Sequence, residues 1–135
     1  MIVFDASYLT QLLLGSPDAI EVFFGIGTGE HEPFHAPALI EIETVHALRG
    51  LARGGHVSEE RAAAAVADLG RTRRVLYPTG PFVNRVWDLR HELTAYDALY
   101  VALAERIGAS VLVTADKGLA TRSRALLGAD RVRAV

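Results

Sequence analysis

The chain has 135 residues, a length that suits one domain and leaves no room for a second core. Lys and Arg total 14 against 16 Asp and Glu, a formal net charge of −2, so no overall basic field holds nucleic acid indiscriminately and such binding needs a local patch. Half of the residues are hydrophobic and none is cysteine, which excludes a largely disordered chain, disulfides, thiolate metal sites and a cysteine nucleophile.

The first residues lack the basic segment of a signal peptide. No uncharged apolar run approaches the roughly 18–20 residues of a membrane span, so the expectation is a cytoplasmic protein without a membrane segment. Ile2-Val3-Phe4 reads as a short buried strand. Leu9, Leu12 and Leu13 then recur at helical spacing behind Ser7 as N-cap, and Ser16-Pro17 restarts a helix with Ile20, Phe23 and Phe24 as its apolar side. Gly25, Gly27 and Gly29 mark a loop, after which Pro37 opens a long helix that stops at Gly54-Gly55. Ser58 with Glu59 and Glu60 starts the next helix, closed at Gly70, and Arg74 to Tyr77 forms a strand. A helix is expected over 79–91, another over 95–107 capped by Thr94, and the clearest strand over 110–113. A short helix over 119–127 and an edge strand over 131–135 complete the chain as a single domain, 1–135. Short apolar strands alternating with helices imply βαβ crossovers and a mostly parallel sheet covered on both faces, with sites at the carboxyl ends of the strands.

Four carboxylates stand where such a site forms. Asp5 ends the first strand, Asp116 follows the 110–113 strand by three residues, Asp97 lies in the first turn of a helix, and Glu43 lies in the long helix. Carboxylates forced together need a counter-charge, which a hard cation such as Mg²⁺ or Mn²⁺ supplies. Each also has a structural reading: strand-end turns for Asp5 and Asp116, a capping box Thr94-x-x-Asp97, and for Glu43 an apolar setting it shares with Glu41.

Taken in order, Ile-Val-Phe-Asp5-Ala-Ser, Ala36-Pro37-Ala-Leu-Ile-Glu-Ile-Glu43-Thr-Val-His-Ala-Leu-Arg49, Leu93-Thr94-Ala-Tyr-Asp97-Ala-Leu-Tyr-Val-Ala-Leu-Ala-Glu105 and Val113-Thr114-Ala-Asp116 resemble the PIN-domain ribonucleases of the VapC toxin type, over essentially the whole chain. The resemblance implies an α/β/α three-layer sandwich and a metal-dependent endoribonuclease, the toxin of a type II toxin–antitoxin pair. It selects Glu43 over Glu41 as the second acid, makes Asp5, Glu43, Asp97 and Asp116 the catalytic set, and makes Asp5, Asp97 and Asp116 the ligands of Mg²⁺ or Mn²⁺. Thr114 is expected to support the cluster by hydrogen bonding. Glu43 is expected to position or deprotonate the attacking water, with 5′-phosphate and 3′-hydroxyl products. A homodimer and a small antitoxin of the VapB type are the expected partners. Relatives often carry Asn where Glu92 stands, and solvent is the expected environment of this extra carboxylate.

Other signals are weaker. His31-Glu32-Pro33-Phe34-His35 matches the zinc-protease pattern in letters, but Pro33 between the histidines opposes the helix that chemistry needs. The glycines at 25, 27 and 29 lack dinucleotide-loop spacing. Arg71, Arg73 and Arg74 are the dense basic run, while Arg49, Arg53, Arg85 and Arg90 lie on helices expected to flank the site and to hold phosphates. Two alternatives compete. A receiver-like signalling domain lacks its second acid, since Ala6 follows Asp5, and a catalytically idle PIN-like module that binds RNA or protein would keep the fold without the chemistry.

Overall fold

Among the described residues five short runs assemble into one sheet, of which the first, third and fourth are rich in β-branched and aromatic residues: β1 (Ile2–Phe4), β2 (Phe34–Pro37), β3 (Arg74–Tyr77), β4 (Val111–Thr114) and β5 (Val132–Ala134). The computed structural model describes residues 1–27 and 32–135. Every strand pairing is parallel and the order is β3-β2-β1-β4-β5. Val3 and Phe4 of the central strand, with Leu112 and Val113 beside them, are fully buried, as continuous apolar strands covered on both faces must be.

Among the described residues, seven α-helices cover the sheet. α1 (Ala6–Leu13), α2 (Pro17–Gly25), α3 (Ile40–Arg53) and α4 (Glu59–Arg71) pack on one another, while α5 (Val83–Asp88), α6 (Ala95–Arg106) and α7 (Lys117–Leu127) form a second packed set. The result is the expected α/β/α sandwich. α6 spans β2, β1 and β4, and is buried from Ala98 to Ala104. Phe4 ties sheet to helix, stacked on Phe34 and edge-on to Tyr8, both at 4.7 Å between centroids. No helix among the described residues is long and apolar enough to cross a membrane.

Several expectations are corrected. Asp5, not Ser7, caps α1, accepting from the Tyr8 amide at 2.9 Å, because Ser7 is already inside the helix. Pro37 does not open α3. It ends β2, an unexpected strand whose run is short and interrupted by polar His35, and the helix begins at Ile40. The expected 79–91 helix is a 3₁₀ turn, Gly80–Phe82, followed by only six α-helical residues. α4 runs through Gly70 to Arg71. In α2 the buried residues are Ala19 and Val22, whereas Ile20 and Phe24 are exposed. His35 lies in β2 with Nδ1 2.8 Å from the Tyr77 hydroxyl, so it cannot belong to a helical zinc motif. His31 and Gly29, from the motifs considered above, lie outside the described residues.

Leu103 is fully buried in α6, so Leu103→Ala is expected to cost about 2–5 kcal/mol in urea unfolding. Val66→Ala, on the exposed side of α4, is expected to change stability by less than about 1 kcal/mol.

Candidate functional site

The strand order reverses between β1 and β4, the place where parallel α/β sheets open a crevice at the carboxyl ends of their strands. Asp5 leaves β1 at that point, its amide donating to the Val113 carbonyl at 3.1 Å, so the chain is still in register with β4 when the carboxylate begins. The Asp5 side chain is buried and both its oxygens are engaged. Ser7 Oγ lies 2.8 and 2.9 Å from Oδ1 and Oδ2, and Thr114 Oγ1 donates to Oδ2 at 2.8 Å.

These two hydroxyls do more than serve Asp5. Ser7 Oγ accepts from the Ala115 amide at 2.9 Å, and Thr114 Oγ1 accepts from the Asp116 amide at 3.0 Å. Each therefore takes a backbone proton from the β4–α7 turn and presents its own proton to Asp5. The turn carrying Asp116 is thereby fastened to the end of β1. Asp116 in turn caps α7, accepting from the Leu119 amide at 2.8 Å.

Asp97 sits in the first turn of α6, where Thr94 Oγ1 accepts from its amide at 3.2 Å. The capping arrangement and the placement near the other acids coexist, since the backbone makes the cap and the carboxylate remains. Glu43, in the first turn of α3, accepts from the buried Tyr100 hydroxyl at 2.7 Å through Oε2. Its Oε1 is buried with no hydrogen-bond partner among the described residues. Glu41 goes elsewhere, paired with Arg74 of β3. Helical rotation separates the two glutamates that local apolar spacing left equivalent.

The four acids interact. Burial pushes the Asp5 carboxyl up to about 6, opposed by its three hydrogen bonds and reinforced by the charge of Asp97. Glu43 is raised by burial and by Asp5 and Asp97, with the Tyr100 hydrogen bond pulling the other way. Asp97 is raised by burial and by Asp116, while Thr94 and the cation of Arg122 lower it. The acids gather without closing: among the described residues no three Asp, Glu or His side chains stand close enough to hold a metal ion. Beside Glu43 lies an open hollow of about 510 Å³ lined by Leu39, Ile42, His46 and Tyr96. Glu92 is exposed, as expected.

Of the four arginines expected to hold phosphates, Arg49 and Arg53 are exposed and Arg85 and Arg90 are committed. Arg85 makes two hydrogen bonds to Glu105, and Arg90 lies 4.6 Å from the Trp87 ring centroid. In the basic run, Arg71 pairs with Asp68, and Arg74 binds the Leu69 and Thr72 carbonyls as well as Glu41. Ser7, Tyr100 and Arg122 were not singled out as site residues from the sequence. For Ser7 a signal existed, its position two residues after a strand-end aspartate. For the other two, nothing local distinguishes them.

Comparison with known proteins matches residues 2–124 to the PIN domain. Ribonuclease VapC1 of Mycobacterium tuberculosis is 37% identical over 119 residues, covering 87% of each chain, and ribonuclease VapC9 of the same organism is 34% identical over 125 residues, covering 93% of each. Among solved structures, PAE2754 from Pyrobaculum aerophilum superposes with a TM-score of 0.70 at 26% identity, covering 98% of this chain and 82% of the other. VapC20 of Mycobacterium tuberculosis, a sarcin–ricin loop cleaving toxin, superposes at 0.65 with 18% identity, covering 90% of this chain and 94% of its own. The chain belongs to the PIN-domain family.

Because the folded Asp5 carboxyl binds its proton more tightly than an unfolded one, between about pH 4 and 6 the folded state holds more protons and stability falls as pH rises. A rise of about two units corresponds to about 3 kcal/mol. In the presence of chelator, Asp5→Asn is therefore expected to be more stable than the parent at pH 8 by up to about 3 kcal/mol, an advantage that shrinks towards zero near pH 4. Urea titrations at the two pH values check this.

Proposed function

We propose that this PIN-domain protein is a metal-dependent endoribonuclease and acts as the toxin of a type II toxin–antitoxin pair. One observation carries the reading: Asp5, Glu43, Asp97 and Asp116 come from four different elements, yet the turn carrying Asp116 is bonded to the hydroxyls that hold Asp5, Glu43 feels the charges of Asp5 and Asp97, and Asp97 feels that of Asp116. The ribonuclease names of the VapC relatives support the reaction class.

The donor set fits a hard divalent cation such as Mg²⁺ or Mn²⁺. It consists of carboxylate oxygens, and it carries repulsion, of Asp97 on Asp5 and of Asp116 on Asp97, that a cation would relieve. Asp5, Asp97 and Asp116 are the residues proposed to hold it. When bound, the ion supplies Lewis-acid stabilisation of charge on the phosphoryl group. Asp5 is oriented for this by Ser7 and Thr114, and Asp116 by the same two hydroxyls acting through the turn. Glu43 is oriented by the hydrogen bond from Tyr100 to Oε2, and its carboxylate is the group proposed to take a proton from the attacking water. Its raised pKa makes it a stronger base than an exposed glutamate.

The chain is further proposed to act in the cytoplasm as a homodimer that binds a small antitoxin of the VapB type. Ile42, Val83, Trp87 and Tyr96 are each more than half exposed. They line hollows that share Leu39, Val83, Val86, Ala95 and Tyr96 and so form one continuous apolar surface, larger in character than isolated exposed side chains. A second copy is the proposed cover.

Two outcomes follow. Incubation with a panel of tRNA and rRNA is expected to give discrete fragments with Mg²⁺ or Mn²⁺ and none with chelator; Asp97→Asn abolishes them, and Glu43→Gln slows cleavage by roughly 10²–10⁴-fold. RNA binding without cleavage, in parent and variants alike, would instead favour an idle binding module. For assembly, light scattering is expected to report a dimer, and Trp87→Glu a folded monomer. A monomeric parent would refute the dimer.

A further inference from the structure

An acidic centre repels the phosphates it is meant to cut, so an RNA-cleaving site needs a cation placed among or beside its carboxylates. Six arginines are already engaged inside the fold. Arg61 and Arg131 donate to backbone carbonyls, Arg71, Arg74 and Arg85 pair with carboxylates, and Arg90 lies over Trp87. Seven others make no hydrogen bond or ion pair among the described residues; of these Arg122, which is exposed, is the cation whose charge acts on Asp97.

Its placement follows from the first turn of α7. Helical side chains lean towards the N-terminus of their helix, which directs Arg122 back over Gly118, one turn earlier, towards the capping residue Asp116. Gly118 keeps that path open. A Cβ there would lie 3.1 Å from Asp116 Oδ1 and 3.3 Å from Arg122 Nη1. The guanidinium thus borders the same space as the Asp116 carboxylate while its donors remain unspent. A planar guanidinium of this kind is suited to bidentate contact with a phosphate.

We propose that Arg122 binds a backbone phosphate of single-stranded RNA at the edge of the carboxylate cluster, anchoring the strand beside the acids. This inference rests on the ribonuclease reading above and adds to it the residue that overcomes the repulsion of the acids. It also replaces Arg85 and Arg90 as the source of that contact, since both are occupied. Arg122 is exposed, so its substitution leaves the core untouched.

The test separates binding from cleavage. A fluorescein-labelled RNA of about 12 nucleotides is titrated with protein in EDTA at salt concentrations from roughly 50 to 200 mM. Loss of one phosphate contact on a single strand lowers the magnitude of the slope of log K against log salt by about 0.7. Arg122→Gln is expected to show that decrease with several-fold weaker binding at low salt. Arg122→Lys retains most of the slope. Arg106→Gln, at the far end of α6 from Asp97, leaves both unchanged. An unaltered slope in Arg122→Gln, an equal loss in Arg106→Gln, or a parent protein that does not bind the RNA overturns the proposal. Cleavage by the parent with Mg²⁺ is scored separately. A parent that binds with the expected slope but cleaves no RNA fails the ribonuclease reading and leaves the Arg122 contact standing. A cleaving parent with an unaltered Arg122→Gln slope does the reverse.

Discussion

A buried carboxylate at the end of the central strand constrains everything around it. Asp5 is removed from water while β1 is still paired to β4, and burial of a carboxylate costs free energy unless its oxygens find donors. The donors come from three directions: the Tyr8 amide of the helix it caps, the Ser7 hydroxyl one position closer, and the Thr114 hydroxyl at the end of the neighbouring strand. A residue that caps a helix, ends a strand and accepts from an adjacent strand has little freedom to move. Asp5 is consequently the fixed point to which the turn carrying Asp116 is fastened through Ser7 and Thr114.

That arrangement places two demands in opposition. Hydrogen bonds to Asp5 favour its charged form, yet burial outweighs them and the carboxyl remains well above the ordinary range. Glu43 and Asp97 are pushed in the same direction, each by burial first and then by neighbouring acids. The fold therefore keeps a group of acids that destabilises it near neutral pH. Strain of this kind is tolerated where the perturbed groups have a chemical use. An opposite charge acts against it, and Arg122 at the margin of the acids supplies one that lowers Asp97.

Other charged side chains pair with one another across elements. Glu41 and Arg74 satisfy one another across α3 and β3, and Glu105 of α6 pairs with Arg85 of α5. Both pairs are partly exposed and contribute little to stability. The apolar surface of Ile42, Tyr96, Val83 and Trp87 begins beside Glu43, so one wall of the hollow next to the acids is also the surface proposed for a second copy.

Much of this was legible in residue order. The buried strands at 2–4 and 111–114 are dense apolar runs, and Thr94 and Ser58 announce their helices by hydrogen bonds that span three residues. Parallel topology followed from the alternation of strands and helices, and with it the expectation that Asp5 and Asp116 share one edge. Local chemistry determines these features because caps, turns and periodicity act over a few residues. β2 escaped that reading because four residues broken by a histidine carry too little pattern, and its strand character comes from pairing with β1 and β3. Tertiary structure also decided which glutamate faces the acids, since Tyr100 lies 57 residues from Glu43 and Arg74 lies 33 from Glu41. It decided that Ser7 and Thr114, 107 residues apart, act on one carboxylate, and that Arg122 rather than Arg85 stands uncommitted near it. The sequence by itself determined the kinds of element and the residues at their ends; only packing selected the partners, because a partner is set by distance in the fold and not by distance along the chain.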